Sequence, residues 1–145
     1  SDSLLNLMSK QENTMGKGDP TLLPNTHPLN DNDFLPNKKK SELTEILQLS
    51  PPYKISIITL QKTKLNISKI EDSKIIALIN QTVPSGKKFI FEFSSILNFE
   101  FWNGNQISVN LNDTSIDNFI SNNDLIIRGS YEANKSQLYL SYYQR

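Results

Sequence analysis

Few residues in this chain have the types and spacing that chemistry requires. The single histidine, His27, lies among prolines in the amino-terminal stretch. No Ser–His or Cys–His relay and no polyhistidine metal site can be assembled around it. Cysteine is absent, which removes thiol catalysis, disulfides and thiolate zinc sites. Gly16-Lys17-Gly18 lacks the strand–loop–helix context of a phosphate loop. Glu92 and Glu100 could face one another across strands as an acid–base pair, but acids on exposed strand faces are ordinary. The four Asn-x-Ser/Thr triplets, at Asn66, Asn80, Asn112 and Asn134, are about as many as an Asn- and Ser-rich chain produces by chance. These residues predict a protein that is not an enzyme and holds neither metal nor cofactor.

The aromatic and cationic residues say more. Strand parity places Glu100, Trp102, Arg128, Tyr139 and Tyr143 on the faces opposite the apolar ones. An outward Trp with Tyr and Arg companions can stack unpaired bases, at roughly 1–3 kcal/mol for each ring. The same trio also describes the centre of a protein–protein contact, or a side chain that merely covers the end of a barrel. Formal charge is zero, with fifteen acidic and fifteen basic side chains. Phosphate neutralisation normally brings a basic excess, so neutrality favours protein over nucleic acid as the main contact.

The elements that must hold these residues are short strands. Phe89, Phe91 and Phe93 alternate, as do Phe99 and Phe101, Ile107, Val109 and Leu111, Leu125 and Ile127, and Leu138, Leu140 and Tyr142. Residues 54–60 and 64–70 alternate equally cleanly and read as a strand pair. Asn103-Gly104 carries the residue types of a two-residue hairpin turn, and Pro84-Ser85-Gly86 is a second turn. Asp72 or Ser73 could cap a helix through Ile75, Ile76 and Ile79, although that segment also suits a strand. Ile116, Phe119 and Ile120 predict a short helix with a Thr or Ser cap.

Composition changes near residue 41. Residues 1–40 are rich in Asn, Asp, Pro, Gly and Lys and carry four prolines, with no sustained apolar period. Such a segment buries too little surface to offset its ordering entropy and reads as an extended or disordered arm. Leu22, Leu23, Phe34 and Leu35 interrupt it as docking points for a partner, on a path that prolines stiffen. Residues 41–145 read as the folded domain, opening on a short helix capped by Ser41, with Leu43, Ile46 and Leu47 as its apolar stripe and Pro51-Pro52 as its stop. No apolar run approaches the roughly 20 residues that span a bilayer. Ser1 in place of Met reads as a processed chain or a fragment.

Six or seven short strands with one to three small helices predict a mainly β fold, a small OB-like barrel or alternatively a β-sandwich. The segment Asn123-Asp124-Leu125-Ile126-Ile127-Arg128-Gly129-Ser130-Tyr131, followed by Asn134-Lys135-Ser136-Gln137-Leu138-Tyr139-Leu140, resembles the strand–glycine–hairpin–strand signature of eukaryotic OB-folds. It is most similar to the small subunits of replication protein A and of the telomeric CST complex, over about a quarter of the chain. That resemblance implies a non-catalytic adaptor subunit of a nuclear complex that handles single-stranded DNA or telomeres, contacting mainly other protein subunits and single-stranded nucleic acid in a composite way. The other reading is an extracytoplasmic or cell-surface β-sandwich that binds protein through its arm or an edge strand.

Overall fold

The strands assort into two antiparallel sheets. The computed structural model describes residues 38–121 and 125–145, and Lys39–Arg145 form one compact unit. Ten strands follow in order: β1 (Lys39–Ile46), β2 (Tyr53–Thr59), β3 (Thr63–Glu71), β4 (Lys74–Val83), β5 (Lys88–Phe93), β6 (Ile96–Phe101), β7 (Ile107–Leu111), β8 (Thr114–Ser115), β9 (Leu125–Glu132) and β10 (Gln137–Gln144). One helical turn, α1 (Asp117–Ile120), lies between β8 and β9. The larger sheet has the order β1-β10-β9-β6-β3-β4 and the smaller β5-β2-β7-β8. Among the described residues no strand pairing joins the two, so they do not close into a barrel. They pack instead through one shared core, the sandwich arrangement.

Alternation explains the core. Ile55 and Ile57 on β2 and Val109 and Leu111 on β7 face Leu65, Ile67, Leu97, Phe99, Phe101, Ile127, Leu138 and Leu140 of the larger sheet. Each sheet turns its more apolar side inward, and burying those two sides against one another removes them from water together. Tyr53, Phe93 and Tyr131 cluster at one end of the sandwich: Tyr53 stacks on Phe93 (ring centroids 5.7 Å apart), and Tyr131 meets Tyr53 tilted (6.4 Å) and Phe93 edge-on (6.2 Å). At the other end the Tyr142 hydroxyl donates to the Phe119 carbonyl (2.6 Å), tying α1 to the larger sheet.

Several sequence expectations change once long-range pairing is visible. The segment from Ser41 to Leu47 is not a helix; Lys39–Ile46 is a strand that pairs antiparallel with β10. A single free stripe of Leu43, Ile46 and Leu47 could not outweigh a ladder with an existing sheet edge. In the strand, Leu43 turns inward while Ile46 points out and is 64% exposed. Residues 72–79 contain no helix: Asp72 and Ser73, both with positive φ (53° and 63°), form the two-residue turn of the β3–β4 hairpin. β2 and β3 are not partners, because the short link between them carries the chain from the smaller sheet to the larger.

Asn103-Gly104 is likewise not a hairpin turn. β6 and β7 belong to different sheets, and a 3-10 turn over Gly104–Gln106 makes the crossing. Gly104 is required for closeness: a Cβ there would sit 1.7 Å from the Ile120 carbonyl oxygen. At Gly86 the expectation of a turn is met, with φ of 80° and its N–H donating to the Thr59 carbonyl at 2.7 Å. The short helix is present as α1, with Ile116 and Ile120 fully buried. Its entry is held by Asp117, whose carboxylate accepts from the Val109 N–H (2.7 Å) and the Ser108 hydroxyl (2.8 Å). The Ser115 hydroxyl accepts from the Asp117 N–H (3.2 Å).

Candidate interaction surface

The outer side of the larger sheet is built from the residues that alternate with its core. Register sorts them into transverse rows. Continuing the β3–β6–β9 pairing one residue past Phe101 places Trp102 between Lys64 and Ile126, with Tyr143 and Lys39 beyond. The next row reads Asn80, Asn66, Glu100, Arg128, Ser141 and Glu42. A third reads Ala77, Ser68, Asn98, Ser130, Tyr139 and Thr44. The face is therefore mixed, with aromatic and aliphatic side chains beside charged and amide ones.

Trp102 is half-buried and held from two directions. Its indole N–H donates to a Glu100 carboxylate oxygen at 2.9 Å, and the Asn66 amide donates to the other oxygen at 3.3 Å. The Lys64 ammonium lies 4.8 Å from the ring centroid, a cation–π placement. The Arg145 guanidinium donates to the Trp102 carbonyl. Glu100 thus serves as a buttress that sets the angle of the indole. The Lys64 charge already occupies one ring face.

The predicted site residues do share this side of the sheet, but not as one cluster. Tyr143 is 2% exposed and Arg128 6% exposed, so both are buried. Tyr139 is half-buried and donates its hydroxyl to Gln137. It lies two strands across and four residues along from Trp102, roughly 16 Å by strand spacing and rise. Trp102 and Tyr139 therefore do not form a continuous stacking platform. Of the partner-docking helix and arm, Leu43 and Leu47 pack against the core and Ile46 is exposed. Leu22, Leu23, Phe34 and Leu35 lie outside the described residues.

Lys64 and Asn66 belong to the surface beside Trp102, over a fully buried Ile126, and none of the three stands out in the sequence. Parity alone assigns them to the outer side. Only the β3–β6–β9 order brings them beside Trp102 and Glu100. Asn98, 1% exposed, has an amide nitrogen without a hydrogen-bond partner. A buried donor of that kind is costly to the fold. Among the described residues no group of three or more His, Cys, Asp or Glu is arranged to hold a metal ion, and no helix is long and apolar enough to cross a membrane. No protein-family model, curated protein or solved structure matches the chain.

Proposed function

We propose that the chain is a non-catalytic protein-binding module that recognises its partner through the outer side of the larger sheet, around Trp102. One observation carries this reading: a half-buried indole fixed in orientation by Glu100 and Lys64. An aromatic anchor whose rotamer is already set loses little entropy on binding, which is how such residues come to dominate interfaces. The polar surround of Asn66, Glu100 and Lys64 supplies the hydrogen-bonding rim that protein contacts use. Single-stranded nucleic acid is a weaker candidate, since one ring face is taken by a cation and the chain has no net positive charge.

Trp102 is the only tryptophan, so its fluorescence reports on this surface alone. Titration with unpaired oligonucleotides at low ionic strength should leave that emission unchanged, whereas the protein partner should shift it. A partner recovered by affinity capture should be retained by the parent chain and released by Trp102→Ala, with the fold intact by circular dichroism. Quenching by oligonucleotides that weakens steeply with salt would replace this reading with a nucleic-acid one. Undiminished capture by Trp102→Ala would move the contact elsewhere.

A further inference from the structure

The two edges of the larger sheet are treated very differently. β1 carries Lys39, Lys40, Glu42 and Glu45 and a register irregularity between Lys39 and Ser41, the usual means of discouraging edge pairing. β4 has no comparable charge protection. It is ten residues long, is paired among the described residues with β3 alone, and reads Lys-Ile-Ile-Ala-Leu-Ile-Asn-Gln-Thr-Val, with no charge after Lys74 and no proline. Ile76 is 39% exposed, and Ala77, Asn80, Gln81 and Thr82 are exposed with it.

Where β4 meets β3, Ile79 is opposite Ile67 while Ala77 is opposite Ser68, so Leu78 is a bulge at the middle of the strand. The bulge breaks the alternation. Ile75, Ala77, Asn80 and Thr82 share the outer side, whereas Ile76, Ile79, Gln81 and Val83 share the inner one. A second β4 laid antiparallel over its full length would therefore place like side with like. Ile75 meets Thr82, Ile76 meets Gln81, Ala77 meets Asn80, and each Lys74 meets Val83 and not the other Lys74. A ten-residue strand without the bulge would pair opposite sides in that register.

We propose that two copies of this chain associate through β4, edge to edge about a two-fold axis, joining their larger sheets into one continuous sheet. The self-matching register and the missing charge select a second copy as the occupant. The two-fold geometry uses up the β4 edge of each copy and so ends at a dimer. The contact runs along the β4 edge, whose outer residues Asn80 and Thr82 continue the rows that contain Asn66, Glu100 and Lys64.

Sedimentation velocity of the full chain across a wide concentration range tests it. The parent chain should pass from monomer to dimer, and amide exchange over residues 75–82 should slow as the dimer forms. Ala77→Lys combined with Asn80→Lys sets like charges opposite one another twice in the dimer and should weaken it by about tenfold or more. Ala77→Lys combined with Asn80→Glu makes those pairs opposite in charge and should restore association. Both positions are exposed, so circular dichroism should report an unchanged fold. A parent chain that stays monomeric, exchange in β4 that ignores concentration, or a dimer indifferent to the paired lysines would each overturn the proposal. Failure of the Lys/Glu combination to restore association would overturn the register.

Discussion

The ring of Phe99 fills the space that a side chain on Gly129 would need. The two are direct cross-strand partners on β6 and β9, and a Cβ on Gly129 would stand 2.5 Å from two ring carbons of Phe99 and 2.6 Å from a methyl of Leu140. Gly129 is the glycine of the strand–glycine–hairpin–strand segment. It lets an aromatic lie across the central strand, where Phe99 stacks on Phe101 at 4.9 Å.

Gly129→Ala is therefore expected to overpack the core and cost about 1–3 kcal/mol. Combining it with Phe99→Leu should recover part of that loss, because the shorter side chain vacates the contested space. Chemical denaturation of the four members of the cycle measures the coupling. Additive effects would mean that the ring is not what the new methyl meets.

At Gly104 the obstacle is backbone, since the Ile120 carbonyl oxygen and carbon would lie 1.7 Å and 2.7 Å from a Cβ. A carbonyl cannot change rotamer. Gly104→Ala should thus displace α1 and lower the thermal midpoint more than Gly129→Ala does, with the hydrogen bond from Tyr142 to the Phe119 carbonyl the first to break. Parallel melts of the two variants rank them.

Phe99→Ala and Phe91→Ala should separate strongly. Phe99 is fully buried and central, and its truncation should cost about 3–5 kcal/mol. Phe91 is half-buried on β5, an edge strand, so its loss should cost clearly less. Urea midpoints at constant slope give the comparison. Equal losses would place β5 deeper than its edge position allows.

Alkaline pH should destabilise the fold through two tyrosines. Burial raises the Tyr142 phenol above its ordinary value of 10.0. Burial is also the largest influence on Tyr131, with nearby Tyr53 adding to the rise and hydrogen bonds with Ser136 and Leu49 opposing it. The native state then holds these protons more tightly than the unfolded chain. Their contribution is whole below about pH 10 and is lost as pH rises through the raised folded values. Stability measured against pH should fall on that side. Tyr131→Phe with Tyr142→Phe should flatten the fall, even though removing the 2.6 Å bond from Tyr131 to the Leu47 carbonyl lowers stability at neutral pH.

Strand content and side-chain parity were legible in the sequence alone. Strand geometry has a period of two that shows in Phe99-Glu100-Phe101 or Ile107-Ser108-Val109 without any partner present. The same period placed Glu100, Trp102, Arg128, Tyr139 and Tyr143 opposite the core. Which strands are neighbours emerged only from the folded chain. A link as short as that between β2 and β3 can fold back as a hairpin or cross to the other sheet, and nothing local distinguishes them when both strands present one apolar side. The same absence of local signal hid β1, whose strand form depends on the β10 edge, more than ninety residues away in the chain. It also hid the pairing of Trp102 with Lys64 and Glu100, since a row across a sheet is a property of register among strands distant in sequence.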